Sequence, residues 1–373
     1  MAHVVVNGVC TRPSGATQVL AGLLSRLSAT HRYTVLMNDP RSVEVTRGIV
    51  GDRDHIQYVD PVGRPGNGAG YLWNMTRYGR WLRVHGADCV LGVNHFYPAS
   101  GLPQITYHMN VLRFERPRRA LWQSGEVADR LRDWLATRAV RRADVNLFES
   151  QLLFDLARQR HSQIRNGQVL YIGIEDRETQ ASPNPDPDPT LLAITSHQPH
   201  KDNETLIRML AVLVRLRPEV PWRLAIAGGR TPEVFDPLRA LAAEVGVADR
   251  VDFLGFCTHQ QLSGIGARSL CLVSASLAES FCMVALEAMS WGCPAVVADI
   301  SAMPESVGDA GLLARPSDPE DFARQVLRLW EDGDLRADLV TKGHERAASM
   351  TWAAAAAEVE RQIDQLCSAR ISS

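Results

Sequence analysis

The sequence predicts an α/β protein made of two Rossmann-like domains, each with a doubly wound parallel sheet. Short apolar segments rich in Val, Ile and Leu alternate with segments of helical periodicity along most of the chain, which is the pattern of βα units. A proline-rich polar segment, ASPNPDPDPT at 181–190, interrupts this alternation and is typical of an interdomain linker. With 373 residues and 45% hydrophobic residues, the chain can form two separate cores.

The first half, residues 1–178, is predicted to form one domain. Helical patterns lie between most of its expected strands, which indicates parallel pairing. The strands are expected at 3–6, 33–37, 55–59, 88–92, 103–108, 144–148 and 168–172.

Two glycine-containing segments of this half, at Gly15 and at 63–71, can each be interpreted in more than one way. After the first strand, Ser14, Gly15 and Ala16 precede a helix that is expected to begin near Thr17. Gly15 would let backbone approach a phosphate or sugar closely, or it forms an ordinary helix-entry turn. The segment GRPGNGAGY at 63–71 lacks the third glycine of a nucleotide-binding loop and is predicted to be a flexible loop, near an acceptor if it has a function.

The second half contains another βα series. The linker is placed at 179–190, the second domain at 191–350, and a final segment at 351–373. Within that last segment TWAAAAAEVERQIDQL has strong helical character.

Residues 271–305 carry the strongest chemical signal. An apolar strand runs into Glu279 and Ser280, which stand where a helix N-terminus is expected, and apolar residues then follow at helical spacing. In such a strand–turn–helix unit, the free N–H groups of the first helical turn lie at the carboxyl end of the sheet and can bind a phosphate or carboxylate.

The spacing of Glu279 and Glu287 limits their roles. Eight helical residues rise about 12 Å, whereas a hydrolytic carboxylate pair lies roughly 5 to 9.5 Å apart. The two glutamates therefore fit the two ends of an elongated ligand better than a single bond. The alternative is that Glu279 is a helix-start acid and Glu287 a solvated residue.

If this site binds a diphosphate, it needs a cation in addition to the helix N-terminus, because a helix terminus carries only about half a charge. Lys201 follows another strand, in LLAITSHQPHKDNETL, and is one of only two lysines among 40 basic residues. The other is Lys342. A lysine is a compact point charge suited to phosphate oxygens, although an isolated lysine is also common on surfaces.

Composition excludes several function classes. A net charge of −2 gives no reason to expect a nucleic-acid partner. The odd number of scattered cysteines, never spaced as CxxC, favours reduced thiols over disulfides or a zinc site. They are Cys10, Cys89, Cys257, Cys271, Cys282, Cys293 and Cys367. No secretion signal or transmembrane stretch is visible, so we expect a cytoplasmic location.

Two further patterns are discounted. The pairs Asp186–Asp188 and Asp332–Asp334 imitate a metal-binding DxD, but one lies in the linker and the other in a helix-to-helix turn, so no catalytic metal and no other cofactor is predicted. RFERPRRALW at 113–122 would suit an anionic acceptor or a peripheral membrane contact, although such a charged run is usually a solvated face.

Residues 195–305 resemble the nucleotide-binding half of glycosyltransferase family 4, retaining enzymes of the GT-B fold. The signature of that family is two glutamates separated by seven residues, present here as Glu279 and Glu287 within ESFCMVALEAMSWGCPAVVA. The resemblance continues in LAIAGG at 224–229, VDFLGF at 251–256 and GDAGLLARPSDPEDFA at 308–323. It implies two Rossmann-like domains facing a cleft, with the C-terminal helix crossing back to the first domain.

The resemblance also implies individual roles. Glu279 would contact hydroxyls of the donor sugar, Glu287 the ribose, and Lys201 the diphosphate. His108 would touch the donor sugar near the reacting carbon, although a lone histidine is more often structural. Phe256 and Cys257 would border the base, and backbone groups of Cys282, Met283 and Val284 would meet the phosphates. The remaining donor-binding candidates are Gly15, His197, Ser280 and Phe281.

Two positions depart from the family pattern. The family commonly has glycine at the position of Cys282, and a Gly-Arg pair at Ser196 and His197. The first departure changes how closely backbone can approach phosphate, and the second removes a permanent cation.

The expected activity is therefore transfer of a sugar, with retention, from a nucleotide-diphosphate sugar to a hydroxyl acceptor bound mainly by the first domain. A front-face mechanism is implied, with Glu279, His108 and Lys201 as catalytic residues. The alternatives are a non-hydrolysing nucleotide-sugar epimerase, which needs no acceptor, and a nucleotide-sugar-binding protein without catalysis.

Overall fold

The structure is a computed structural model that describes residues 1–9, 11, 15–63, 67–93, 101–111, 114, 126–161, 163–174, 186–229 and 232–371. The chain divides into two compact units. The first unit comprises Met1–Arg116, Gln123–Glu175 and Met350–Ser373; the second comprises Pro117–Trp122 and Asp176–Ser349.

The first unit alternates strands and helices, as its sequence predicts. Its described strands are β1 (His3–Asn7), β2 (Arg32–Leu36), β3 (Ile56–Val59), β4 (Cys89–Val93), β5 (Gln104–His108), β6 (Val145–Phe148) and β7 (Gly167–Val169). Its described helices are α1 (Gly15–Leu24), α2 (Pro40–Val50), α3 (Asn67–Thr76), α4 (Tyr78–Val84), α5 (Glu126–Arg142), α6 (Gln151–Arg160) and α14 (Trp352–Ile371).

The strands of this unit form one parallel sheet in the order β3-β2-β1-β4-β5-β6-β7. The order reverses between β1 and β4, which is the doubly wound arrangement. β1, β4 and β5 are buried along their whole length, because helices cover both faces of such a sheet.

The last helix of the chain packs within the first unit. Gly22 on α1 lies so close to the indole of Trp352, at the start of α14, that a Cβ on Gly22 would be 2.2 Å from the ring. Polar contacts continue along the helix, where the Glu360 carboxylate accepts hydrogen bonds from the Ser28 hydroxyl (2.8 Å) and the Tyr33 hydroxyl (3.2 Å).

The second unit has the same organisation. Its described strands are β8 (Asp188–Ile194), β9 (Arg223–Ala227), β10 (Val251–Gly255), β11 (Ser269–Ser274), β12 (Ala295–Ala298) and β13 (Gly311–Ala314). Its described helices are α7 (Asn203–Leu216), α8 (Asp236–Glu244), α9 (His259–Gly266), α10 (Met283–Ser290), α11 (Met303–Val307), α12 (Pro319–Glu331) and α13 (Gly333–Ser349).

These strands form a parallel sheet in the order β10-β9-β8-β11-β12-β13, and its order reverses between β8 and β11. The core on one face of the sheet joins apolar residues of β8, β9 and β11 to those of α7, α8 and α12. Trp222 and Phe322 are among the largest fully buried side chains there.

The predicted fold class, two doubly wound parallel-sheet domains with a C-terminal helix that returns to the first, is confirmed. Three local predictions differ from the structure. Residues 67–71, predicted as loop, begin α3. Strand β8 begins at Asp188, inside the predicted linker. Helix α10 begins at Met283, so Glu279 and Ser280 lie in the preceding loop.

Candidate functional site

The candidate site lies in the second unit, where β8 and β11 are neighbours and their connections leave in opposite directions. In open α/β sheets, ligands bind at the carboxyl ends of the strands at such a switch point. Lys201 ends a single 3₁₀ turn, Pro199–Lys201, that follows β8. Glu279 lies in the loop that follows β11.

Lys201 and Glu279 form an ion pair across this switch point. The Lys201 Nζ donates a hydrogen bond to the Glu279 Oε1, and the two side chains are only 23% and 18% exposed. Burial acts to lower the pKa of Lys201, but the adjacent Glu279 carboxylate outweighs burial and the pKa is raised overall. The lysine is therefore charged at neutral pH.

Hydrogen bonds fix the loop that carries Lys201. The carbonyl of His200 accepts hydrogen bonds from the backbone N–H of Leu277 (2.7 Å) and the hydroxyl of Ser276 (3.3 Å), both in the loop after β11. The Asn203 side chain accepts from the Thr195 hydroxyl (2.8 Å) and donates to the Ser196 carbonyl (2.9 Å). The two loops that supply the ion pair are thus joined directly by backbone contacts.

Helix α11, which follows β12, supports the start of α10. The Ser306 hydroxyl accepts a hydrogen bond from the Cys282 N–H (2.8 Å) and donates one to the Ala302 carbonyl (2.8 Å). The Cys282 N–H thus has an acceptor within the chain, and contact of backbone groups of Cys282, Met283 and Val284 with phosphate stays a prediction. The N–H groups of Met283 and Val284 have no acceptor within the described chain, as is usual in a first helical turn.

The Cys282 side chain is buried and only 2% exposed. Burial raises the pKa of its thiol to about 12, so it remains a neutral thiol. Glu287 lies four residues into α10 and is partly buried. Of the interval between Glu279 and Glu287, only the part from Met283 onward is helical, which accounts for a rise of about 6 Å. Helix geometry alone therefore does not set the distance between the two glutamates.

The remaining second-unit candidates lie at the same edge of the sheet. His197 is exposed in the loop after β8. Phe256, directly after β10, is 83% exposed, and Cys257 is partly buried. Ser280 and Phe281 lie between Glu279 and α10, and Phe281 is 5% exposed. The structure thus brings all of these candidates to loops at the carboxyl ends of β8, β10 and β11.

Sequence reasoning missed residues that hold these loops. These residues are Asn203, Ser301 and Ser306. Each holds a loop by hydrogen bonds of its side chain, and the partners of those bonds are set by the fold. Gly228, in the LAIAGG motif, has φ +121°, and a Cβ there would lie 1.9 Å from the Thr195 carbonyl oxygen. The double glycine was the available signal for that close approach.

The first unit holds the other two candidates. Gly15 is the exposed first residue of α1, and a Cβ there would meet no described atom within 4 Å, while Ser14 lies outside the described residues. His108 ends β5 and is 0% exposed, with Nε2 2.9 Å from the Asn146 Oδ1 and its ring stacked on Phe148 at 4.7 Å. This burial favours the structural role for His108, and sugar contact by it stays a prediction.

Among the described residues, no three His, Cys, Asp or Glu side chains are grouped as metal ligands, and none of the described helices is long and apolar enough to cross a membrane. The described cysteines are free thiols. The arginine-rich segment 113–122 lies almost entirely outside the described residues, as does Cys10.

The fold and the switch-point site define an α/β protein of the GT-B class. Residues 175–346 match the Glycosyl transferases group 1 family. The chain is 32% identical over 169 residues to D-inositol 3-phosphate glycosyltransferase of Corynebacterium efficiens and 35% over 162 residues to that of Stackebrandtia nassauensis. These matches cover 43% and 42% of the chain, and 39% and 37% of the relatives, so the chain spans about two fifths of their length.

Solved structures resemble the whole chain. Sucrose-phosphate synthase from Thermosynechococcus elongatus has a TM-score of 0.76 at 18% identity, covering 99% of this chain and 100% of that one. HepE from Anabaena, solved in complex with UDP, has a TM-score of 0.76 at 16% identity, covering 98% and 100%. At these identities the likeness establishes the fold.

Proposed function

We propose that this protein is a retaining glycosyltransferase that transfers a sugar from a nucleotide-diphosphate sugar to a hydroxyl acceptor. The observation that carries the proposal is the Lys201–Glu279 pair at the switch point of a sheet, with Glu279 in the loop that leads into α10. The family match of residues 175–346 supports it, as do the glycosyltransferase relatives and a structural neighbour solved with UDP-glucose.

The charges of the site suit a donor whose diphosphate lies between its sugar and its ribose. In the absence of donor, Lys201 is neutralised by Glu279. A bound diphosphate offers Lys201 a second anion, and the carboxylate can then accept hydrogen bonds from sugar hydroxyls. The N–H groups of Met283 and Val284 add the partial positive charge of the helix start, and Glu287 binds the ribose in this proposal.

The transfer step is a front-face substitution at the anomeric carbon. The bond from that carbon to the diphosphate oxygen breaks, and the acceptor oxygen forms its bond on the same face of the sugar. The acceptor proton passes to the departing phosphate oxygen, whose growing negative charge is stabilised by Lys201 and the start of α10. No metal is required in this scheme, since these groups provide the positive charge.

The proposal is tested first by donor binding. Thermal-shift measurements with UDP-, GDP-, ADP- and dTDP-sugars should identify a donor by a raised Tm. Incubation of that donor with a set of hydroxyl acceptors should yield a product with an unchanged anomeric configuration by NMR. Conversion of the donor without acceptor would instead identify an epimerase, and binding without turnover a non-catalytic protein.

The site itself is tested by Glu279→Gln, which should lower the transfer rate at least about a hundredfold, the usual scale for losing one group that contacts the transition state. Glu204→Gln is the matched control, because Glu204 is an exposed acid in the first turn of α7. Equal rates in the two variants would contradict the assignment of the site.

A further inference from the structure

The outer face of α3 and α4 combines exposed aliphatic side chains with unpaired arginines. Between Pro61 and Ala87 the sequence contains Arg64, Arg77, Arg80 and Arg83 but no acidic residue. The whole chain has 42 acidic residues in 373, which corresponds to about three in a segment of this length. This segment is therefore distinctly basic in a chain whose net charge is −2.

The two helices act as one surface element. The N–H of Arg77 donates to the Trp73 carbonyl (2.8 Å), and the N–H of Trp81 donates to the Arg77 carbonyl (3.0 Å), so helical bonding continues across the break. Their inner face is fixed by Trp73, Tyr78 and Leu82, which pack into the core beside β1 and β4. A buried hydrogen bond from Asn7 to Asn74 (2.9 Å) adds to this attachment.

The opposite face is open to solvent. Leu72 is 64% exposed, Met75 57% and Val84 71%. Arg77, Arg80 and Arg83 are exposed, and none of these three forms an ion pair or a side-chain hydrogen bond within the described chain. Within α3, Leu72, Met75 and Thr76 are three and four residues apart, and within α4 so are Arg80, Arg83 and Val84, so each helix presents its exposed side chains on one face.

We propose that this outer face binds the surface of an anionic lipid membrane. Aliphatic side chains can enter the boundary between headgroups and acyl chains, while arginines contact lipid phosphates above them. Nucleic acid fits this surface less well, since single-strand binding sites rely on exposed aromatic side chains for base stacking. Trp73 here is buried, Tyr71 is only partly exposed, and the partly exposed Trp81 is already stacked on His85. The combination of positive charge and exposed aliphatic side chains favours a lipid surface as the partner.

Vesicle sedimentation tests this proposal with the full chain. The protein should sediment with vesicles of phosphatidylcholine and phosphatidylglycerol in equal parts, and far less with phosphatidylcholine alone. Each basic residue near an anionic surface contributes about fivefold to the partition constant, so R77Q/R80Q/R83Q should lower it on the order of a hundredfold. Added salt should weaken binding, because the attraction is screened.

A second variant separates the aliphatic contribution. L72S/M75S/V84S retains all arginines and should lower the partition constant at least about tenfold, since three apolar side chains no longer enter the lipid. The matched control R208Q/R324Q/R328Q removes the same charge from exposed positions on α7 and α12 and should bind like wild type.

Circular dichroism should show that all three variants are folded. Three results would overturn the proposal: no sedimentation of the wild-type protein, equal binding to neutral vesicles, or equal loss in the control triple variant. Binding of a labelled oligonucleotide that competes with vesicles and depends on the same arginines would assign the face to nucleic acid instead.

Discussion

The hydroxyl of Ser301 holds both backbone groups of Glu279. Its Oγ accepts a hydrogen bond from the Glu279 N–H (3.2 Å) and donates one to the Glu279 carbonyl (2.9 Å). Ser301 has φ +58°, a left-handed conformation that is unfavourable for residues other than glycine. The two hydrogen bonds compensate for that conformation, and they position the residue that forms the ion pair with Lys201.

Two substitutions of Ser301 should therefore have different effects. Ser301→Gly loses both hydrogen bonds but adopts the left-handed conformation freely, so we expect a Tm close to wild type and a reduced transfer rate. Ser301→Ala loses the bonds and keeps the strain, so it should also be destabilised by about 1–3 kcal/mol in chemical denaturation. Wild-type transfer by Ser301→Gly would show that the hydroxyl does not position Glu279.

The two lysines provide a matched pair for the phosphate site. Lys201→Ala should weaken donor binding and lower the transfer rate at least about tenfold, because a charge that contacts the diphosphate is removed. Lys342→Ala removes the other lysine, which is 38% exposed and paired with Asp338 on α13, and should leave both unchanged. Isothermal titration with the identified donor and initial-rate kinetics distinguish the variants. Similar losses in both would contradict a specific role for Lys201.

Burial of His108 should make stability depend on pH. Asn146 donates through Nδ2 to the carbonyls of Val140 and Arg165, so its Oδ1 accepts from the His108 Nε2–H. Burial lowers the pKa of His108 to about 4. Because the unfolded chain binds this proton near pH 6.5, stability is lost as the pH falls from about 6.5 to 4, by up to about 3 kcal/mol.

Comparison with His108→Phe measures this effect. The phenyl ring retains the stacking on Phe148 but does not titrate, so the variant should be less stable at pH 7, where it leaves the Asn146 Oδ1 without its donor. The difference in unfolding free energy should narrow toward pH 4. A constant difference across this range would mean that His108 is not held neutral in the folded protein.

The contact between α1 and the last helix predicts opposite effects at two glycines. Gly22→Ala should lower the Tm and destabilise the protein by about 1–3 kcal/mol, because the added methyl group collides with Trp352. Gly48→Ala on α2 meets no described atom within 4 Å, so the better helix former should raise stability by about 0.4–1 kcal/mol. Equal effects of the two substitutions would be inconsistent with the packing at Gly22.

Regular secondary structure was largely predictable because it depends on local periodicity. The strands predicted at 33–37 and 103–108 agree with β2 and β5 to within one residue. The start of α10 was placed too early, since Glu279 and Ser280 resemble helix-start residues, but their loop is held by hydrogen bonds from residues 22 to 24 positions further along the chain. Such partners carry no signal at the site itself.

The sequence by itself determined that the chain forms two βα domains and that Glu279, Glu287 and Lys201 are candidates for a phosphate and sugar site, since strand and helix periods and motif spacing are local properties. Only the tertiary structure decided that Lys201 and Glu279 pair, that Ser301 and Ser306 hold their loop, and that His108 is buried. Those outcomes depend on which strands become neighbours, because the reversal of strand order between β8 and β11 brings residues 78 positions apart into contact.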